Sequence, residues 1–311
     1  MHAADAVRLR ATAALSHPGR KRRHNEDAYV VQPPLFAVAD GMGGAKAGEV
    51  ASSLAAAALQ ESGGSADWSG EARVVALIEE ANRRVFRRAT EDRDASGMGT
   101  TMTVALVEDD RIAIGHVGDS RAYLIRDGHL EQLTDDHSLV AELVRSGKLT
   151  PEEAETHPQR SVITRAVGTE PDVDVDTFSI AGAEGDVFLI CSDGLTDMVH
   201  ERTILAAVEQ HRANLDEAAK ALVNAANRGG GEDNITVIFF ELSSEEPAEE
   251  TEETVVTDSP VGDEDTLDES HAQPVATVEE PKRRGRTLPI LTALALLMII
   301  AAAVLWLLDH L

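Results

Sequence analysis

The stretch 101-TMTVALVEDDRIAIGHVGDSRAYLIRDGHL-130 constrains the fold more than any other part of the chain. It alternates aliphatic, β-branched runs with turn signals at Glu108-Asp109-Asp110, Gly118-Asp119 and Asp127-Gly128, which is the punctuation of short consecutive strands. Strands so close together leave no room for crossover helices, so they pair antiparallel and read as a meander. The β-rich runs fall at 35–39, 100–107, 111–117, 122–125, 187–191 and 235–241, and helical periodicity at 47–60, 71–91, 138–146, 201–211 and 216–228. Helices come in blocks rather than after every strand. The fold class is therefore α+β with antiparallel sheets, not a doubly wound parallel sheet.

Four places share one pattern, an apolar run adjoining an aspartate with a glycine or small residue beside it: 36-FAVADGMGG-44, 114-IGHVGDSR-121, 187-VFLICSDGL-195 and 231-GEDNITVIFF-240. One such aspartate is ordinarily a turn former or a helix cap. Four of them, Asp40, Asp119, Asp193 and Asp233, at the edge of one core are another matter, because an unpaired buried carboxylate costs several kcal/mol or takes up a proton. Clustered carboxylate oxygens suit hard divalent cations such as Mg²⁺ or Mn²⁺, and no His/Cys cluster suggests zinc. The glycines after Asp40 allow a sharp turn and bring the carbonyl of Gly41 within reach of a cation. A phosphate cradle of the nucleotide-binding kind is excluded, since no lysine followed by serine or threonine stands at the needed spacing.

Taken in order, 16-SHPGRKRRHNEDA-28, ADGMGG, GMGTTMT, VGDSRAY, SVITRAVG, CSDGL and EDNIT resemble the bacterial branch of the metal-dependent PPM-type (type 2C) protein serine/threonine phosphatases. The resemblance spans residues 16–237 and implies an α-β-β-α sandwich of two antiparallel sheets flanked by helices, with a metal centre at one edge. It implies that Asp40 bridges two divalent cations, Mn²⁺ or Mg²⁺, that Gly41 offers its carbonyl, and that Asp193 and Asp233 complete the first ion's shell. Asp119 matches an acidic residue for a weaker third ion. Arg22 matches the arginine that grips the substrate phosphate, a task suited to its planar fork. Glu26 and Asp27 match outer-shell partners of the cations, and Asn234 supports the geometry beside Asp233. The implied reaction is hydrolysis of phosphoserine and phosphothreonine by a metal-activated water with no covalent phospho-enzyme. Where some relatives carry a histidine two residues after the Asp40 position, this chain has Met42, so no side chain is assigned to protonate the leaving group.

Other readings are weaker. A cysteine-dependent phosphatase needs an arginine six residues after its nucleophile; six after Cys191 stands Asp197, so Cys191 reads as a small core residue. His24, His116 and His137 lie in or near the motifs without the spacing of a ligand pair, and read as structural rather than as proton shuttles. The segment 138–168 resembles the family's variable flap and is expected to shape substrate access. A catalytically dead, membrane-tethered binding module would have lost a metal ligand, yet Asp40, Asp193 and Asp233 are all present. A two-metal nuclease or phosphodiesterase would show histidine ligands.

The net charge of −27 argues against nucleic acid as a partner, although residues 244–281 alone hold 14 Asp and Glu and no Lys or Arg. That stretch, without aromatics, reads as a disordered acidic tether. Residues 287–308 are 22 uncharged positions, TLPILTALALLMIIAAAVLWLL, enough at ~1.5 Å per residue to cross a ~30 Å hydrocarbon core. The expected division is a phosphatase domain over 1–243, a linker over 244–286 with a basic juxtamembrane end (Lys282, Arg283, Arg284, Arg286), a transmembrane helix over 287–308 and a short tail over 309–311. By the positive-inside rule the catalytic part stays in the cytoplasm of a single-pass protein, and the family branch points to a bacterial inner membrane. The expected partners are phosphorylated proteins, membrane Ser/Thr kinases among them, and the lipid bilayer. One cysteine excludes an internal disulfide and fits a reducing compartment.

Overall fold

The computed structural model describes residues 7–43, 47–62 and 69–244. The expected linker and transmembrane helix lie outside the described residues, among which no helix is long and apolar enough to cross a membrane. Eleven strands are formed: β1 (Arg8–His17), β2 (Asp27–Gln32), β3 (Leu35–Met42), β4 (Gly99–Thr100), β5 (Met102–Glu108), β6 (Arg111–Val117), β7 (Arg121–Arg126), β8 (His129–Gln132), β9 (Asp176–Ala181), β10 (Val187–Cys191) and β11 (Ile235–Ser243). They are joined by α1 (Ala47–Ser62), α2 (Gly70–Glu91), α3 (Leu139–Arg145), α4 (Pro151–Glu155), α5 (Asp193–Thr196), α6 (Glu201–Gln210) and α7 (Leu215–Gly229).

The strands form two antiparallel sheets, one ordered β1-β11-β10-β7-β8 and the other β2-β3-β5-β6-β9 with β4 alongside β3. Both faces of the central strands are apolar, so each sheet buries one face against helices and the other against its partner sheet. In β3, Phe36 and Val38 face the sheet that contains β10 and β11, while Ala37 and Ala39 face α1 and α2. In β11, Ile238 and Phe240 point between the sheets, and Val237 and Phe239 meet α6 and α7. Period-two alternation thus yields the expected α-β-β-α layers. Phe240 stacks between Phe36 and Phe188, with ring centroids at 4.5 and 4.8 Å.

One expectation is corrected. The stretch 101–130 is not a single meander: β5–β6 is a hairpin in one sheet, β7–β8 a hairpin in the other, and Gly118-Asp119-Ser120 carries the chain between the layers. The turn signal was present in the sequence, but every β run there is apolar on both faces, so periodicity could not show which sheet each joins. The change of layer puts Asp119, only 8% exposed, at the mouth between the sheets. The β run read as 35–39 is longer in the structure, because β3 continues through Asp40 to Met42.

Candidate active site

Strand parity aims the carboxylates. Asp40 shares the face of Phe36 and Val38, so its side chain points between the sheets at the edge where the apolar filling ends. Its amide donates to Thr101 Oγ1 at 3.0 Å, and its carbonyl accepts from the Thr101 amide at 2.9 Å and the Thr100 hydroxyl at 2.8 Å. Asp27 lies opposite it in register on β2. Asp193 follows β10 as the first residue of α5, Asp233 immediately precedes β11, and Asp119 sits in the turn between layers. The order of elements therefore collects at one edge groups as far apart in sequence as 27 and 233.

The electrostatics are those of crowded like charges in a dry place. Burial, reinforced by Asp27, Asp193, Asp119 and Asp233, holds the Asp40 carboxyl well above the ordinary carboxylate range. Burial, then Asp119, Asp197 and Asp233, does the same to Asp193. Asp119 is pushed up to about 7, first by burial and then by Asp136 and Asp197. Asp27 is pushed up to about 6 by burial, even though the hydroxyls of Thr236 and Ser192 donate to its Oδ2 at 2.6 and 2.8 Å. Oδ1 of Asp27, Asp119 and Asp193 is in each case buried without a protein partner.

Around these groups stand the other residues expected from the sequence. Arg22 donates to Asp233 Oδ2 at 2.6 Å and is half exposed, on a loop held to the body by Arg20 and Lys21 amides bonded to the Gly231 carbonyl. Asn234 does not face the cleft. Its Oδ1 accepts from the Glu26 amide at 2.7 Å and its Nδ2 donates to the Pro18 and His24 carbonyls, so it stitches the Arg22 loop to the start of β11. Gly41 is needed for close approach: a Cβ there would lie 2.1 Å from the Gly48 carbonyl oxygen and 2.6 Å from that of Glu26. Arg22, Glu26, Asp40, Gly41, Asp193 and Asp233 line one cleft of about 380 Å³.

Three further residues on that cleft had no assigned role in the sequence reading. Asp197 lies one helical turn beyond Asp193, a spacing that places both on one face and was visible in SDGLTD. Arg160 and Ser161 come from the segment between α4 and β9, at the start of the SVITRAVG motif, whose local pattern does not show that it reaches the cleft. They also border a groove of about 600 Å³ that shares Asp193 and Asp197 with the cleft and runs beneath α3 and α4.

The donor set fits hard cations: it is all oxygen, mutually repelling and partly unpartnered. Among the described residues no group of three or more His, Cys, Asp or Glu is arranged as it stands to hold a metal ion. Here Arg22 supplies the positive charge beside Asp233.

Residues 19–226 match the family model described as protein phosphatase 2C. The chain belongs to this family. As a member it is a serine/threonine protein phosphatase. It is 41% identical over 238 residues to the serine/threonine phosphatase stp of Listeria monocytogenes, covering 72% of this chain and 92% of that one. It is 43% identical over 235 residues to the serine/threonine protein phosphatase PstP of Mycobacterium tuberculosis, covering 74% of this chain but 44% of the relative. The crystal structure of Mycobacterium tuberculosis PstP/Ppp superposes with a TM-score of 0.71 at 41% identity, over 76% of this chain and 99% of that one. The PstP catalytic domain in complex with two manganese ions gives 0.70 at 38% identity, over 76% and 99%.

The other candidates of this phosphatase 2C chain resolve against that frame. Cys191 is wholly buried and its thiol is pushed up to about 12 by burial, which removes it as a nucleophile. His116 is buried and pushed down to about 3, first by burial and then by His137, so it is a neutral core group. Met42 lines the cleft and offers no proton to a leaving group.

Proposed function

We propose that the chain hydrolyses phosphoserine and phosphothreonine in proteins at the cleft between Arg22 and Asp193, with two divalent cations, Mn²⁺ or Mg²⁺. One observation carries this reading: the Asp40, Asp119 and Asp193 carboxyls are buried beside one another at one edge and held above the ordinary carboxylate range, and bound positive charge would let them ionise together. Asp40, the Gly41 carbonyl, Asp193 and Asp233 would hold the pair, and Asp119 with Asp193 a weaker third ion. When bound, such ions make water a usable nucleophile near neutral pH and offset charge on the phosphoryl oxygens. Arg22, which lines the cleft and donates to Asp233, would grip the phosphate. Glu26 and Asp27 orient the coordinated groups from outside, and Asn234 fixes the Arg22 loop against β11.

The test is turnover of a phosphothreonine peptide with Mn²⁺. Full activity with Mn²⁺, its loss on adding a chelator, and a drop of at least about 10³-fold in Asp40→Asn and Asp193→Asn are expected for residues acting on the transition state. Undiminished turnover without metal, or by Asp40→Asn, would sink the mechanism.

For the rest of the chain, the hydropathy of residues 287–308 and the acidic run 244–281 support a tethered enzyme: a phosphatase domain over 1–243, a linker over 244–286, one membrane span and a short tail over 309–311. Lys282, Arg283, Arg284 and Arg286 support a cytoplasmic catalytic domain, and the bacterial relatives support an inner membrane. Phosphorylated membrane proteins, Ser/Thr kinases included, would then be the substrates within reach.

A further inference from the structure

His137 lies outside the cleft, yet four hydrogen bonds converge on it. Its ring Nδ1 accepts from the Gly118 amide at 3.0 Å, and its own amide donates to the Gly118 carbonyl at 2.7 Å. Its carbonyl accepts from the Thr164 amide at 2.8 Å. Because Nδ1 is an acceptor, the ring proton sits on Nε2, which donates to Asp176 Oδ2 at 3.1 Å, and the other oxygen of Asp176 is held by Arg165. The residue is 3% exposed, and its ring lies 4.7 Å from that of His116.

What His137 grips is the residue before Asp119. Gly118 has φ +113°, and a Cβ on it would lie 2.5 Å from Thr101 Cβ, so the turn between the sheets is wedged against β4–β5. On the other side of Asp119, the Ser120 hydroxyl shares a hydrogen bond with Thr101, and the Ser120 carbonyl accepts from Thr103, which meets His116. Oδ1 of Asp119 is buried without a protein partner, so the direction of that carboxylate depends on the backbone frame that carries it. The frame closes at His137, and His137 also closes the base of the segment carrying α3, α4 and Arg160, since the Ser138–Ile163 bridge adjoins it.

We propose that His137 is a positioning residue which sets the Asp119 carboxylate for cation binding by clamping Gly118, and ties that setting to the 138–163 segment. This rests on the proposed metal dependence. Loss of a group that holds a metal ligand in place commonly lowers metal affinity or activity by about 10- to 100-fold.

The test uses the full-length chain in detergent, with Mn²⁺ as the probe. Mn²⁺ binding is followed by calorimetry, Gly118 amide exchange by mass spectrometry, and turnover of p-nitrophenyl phosphate as a function of Mn²⁺. His137→Ala should weaken the weakest Mn²⁺ step on the order of tenfold, expose the Gly118 amide, and recover most of its kcat at saturating Mn²⁺. His137→Asn, whose Oδ1 can accept from Gly118 but which cannot reach Asp176, should restore Mn²⁺ binding and amide protection. In an Asp119→Ala background the His137→Ala change should add no further loss of Mn²⁺ affinity. The proposal is overturned by unchanged Mn²⁺ affinity in His137→Ala, by an equal loss in both backgrounds, or by a folded His137→Asn that binds no better than alanine. If His137→Ala fails to fold, the Asn variant decides: binding like the unsubstituted chain supports the clamp, and weakened binding overturns it. An unsubstituted chain that binds no Mn²⁺ overturns this proposal and the metal mechanism together. One that binds Mn²⁺ and turns over, yet is indifferent to His137, overturns this proposal alone.

Discussion

Asp27, Asp40, Asp119 and Asp193 keep their protons more tightly than exposed aspartates do, and this has a measurable consequence for stability. Asp27 and Asp119 titrate near 6 and 7 in the folded chain, first because they are buried, against about 4 for an unperturbed aspartate. Between pH 4 and 7 the folded state therefore binds more protons than the unfolded state. Stability must fall as pH rises through that window and level off above it. In a chelating buffer the melting temperature should decline from pH 5 to pH 8. Asp119→Asn should flatten part of the decline, and saturating Mn²⁺ should raise the melting temperature more at pH 8 than at pH 5 because it favours the ionised form. A melting temperature that rises with pH under chelation would contradict the proton accounting. The same crowding predicts that Asp193→Asn, expected to be inactive, melts higher than the unsubstituted chain in chelator at pH 8, since it removes one buried charge from a repelling group.

At the scale of elements, the site rests on β3, β10 and β11, whose inward side chains fill the space between the sheets. Phe240 is clasped by Phe36 and Phe188, one from each sheet, and all three are at most 1% exposed. Phe240→Ala should cost about 3–5 kcal/mol in urea unfolding, against less than about 1.5 kcal/mol for a volume-conserving swap such as Leu189→Met. A cost near zero for the alanine would show that the sheets collapse onto the gap. These central strands were legible because runs such as VFLIC and ITVIFF are apolar on both faces. The edge strands were not. β1, RLRATAALSH, is rich in arginine and alanine and half exposed, and its extended form comes from pairing along β11, which local composition does not encode. β9 likewise owes its shape to β6. The aspartates were legible through their glycine neighbours. The position of Arg160 on the cleft and the clamp of His137 depend on how the 138–163 segment folds back, and only the tertiary structure supplies that.

At the scale of the molecule, the two-sheet design turns a set of residues spread from Arg22 to Asp233 into one edge, while β11 runs away from that edge. Its register with β1 sets Ile235 opposite His17 and Ser243 opposite Arg8, so the chain leaves the folded part nine residues from the active-site end. At about 3.4 Å per strand residue, that is a displacement on the order of 30 Å. The last described residue, Ser244, thus stands at the end of β11 remote from the cleft. With the proposed membrane span, catalysis and anchoring should then be separable. The full-length chain should float with lipid vesicles, and a chain ending at residue 286 should remain with the soluble fraction. Both should hydrolyse a soluble phosphothreonine peptide at equal rates, because among the described residues none that lines the cleft lies beyond Asp233. Against a phosphoprotein embedded in the same vesicles the full-length chain should be faster, since tethering raises the local concentration of each for the other. Equal rates on the embedded substrate, or flotation of the truncated chain, would mean that residues 287–308 do not serve as the anchor.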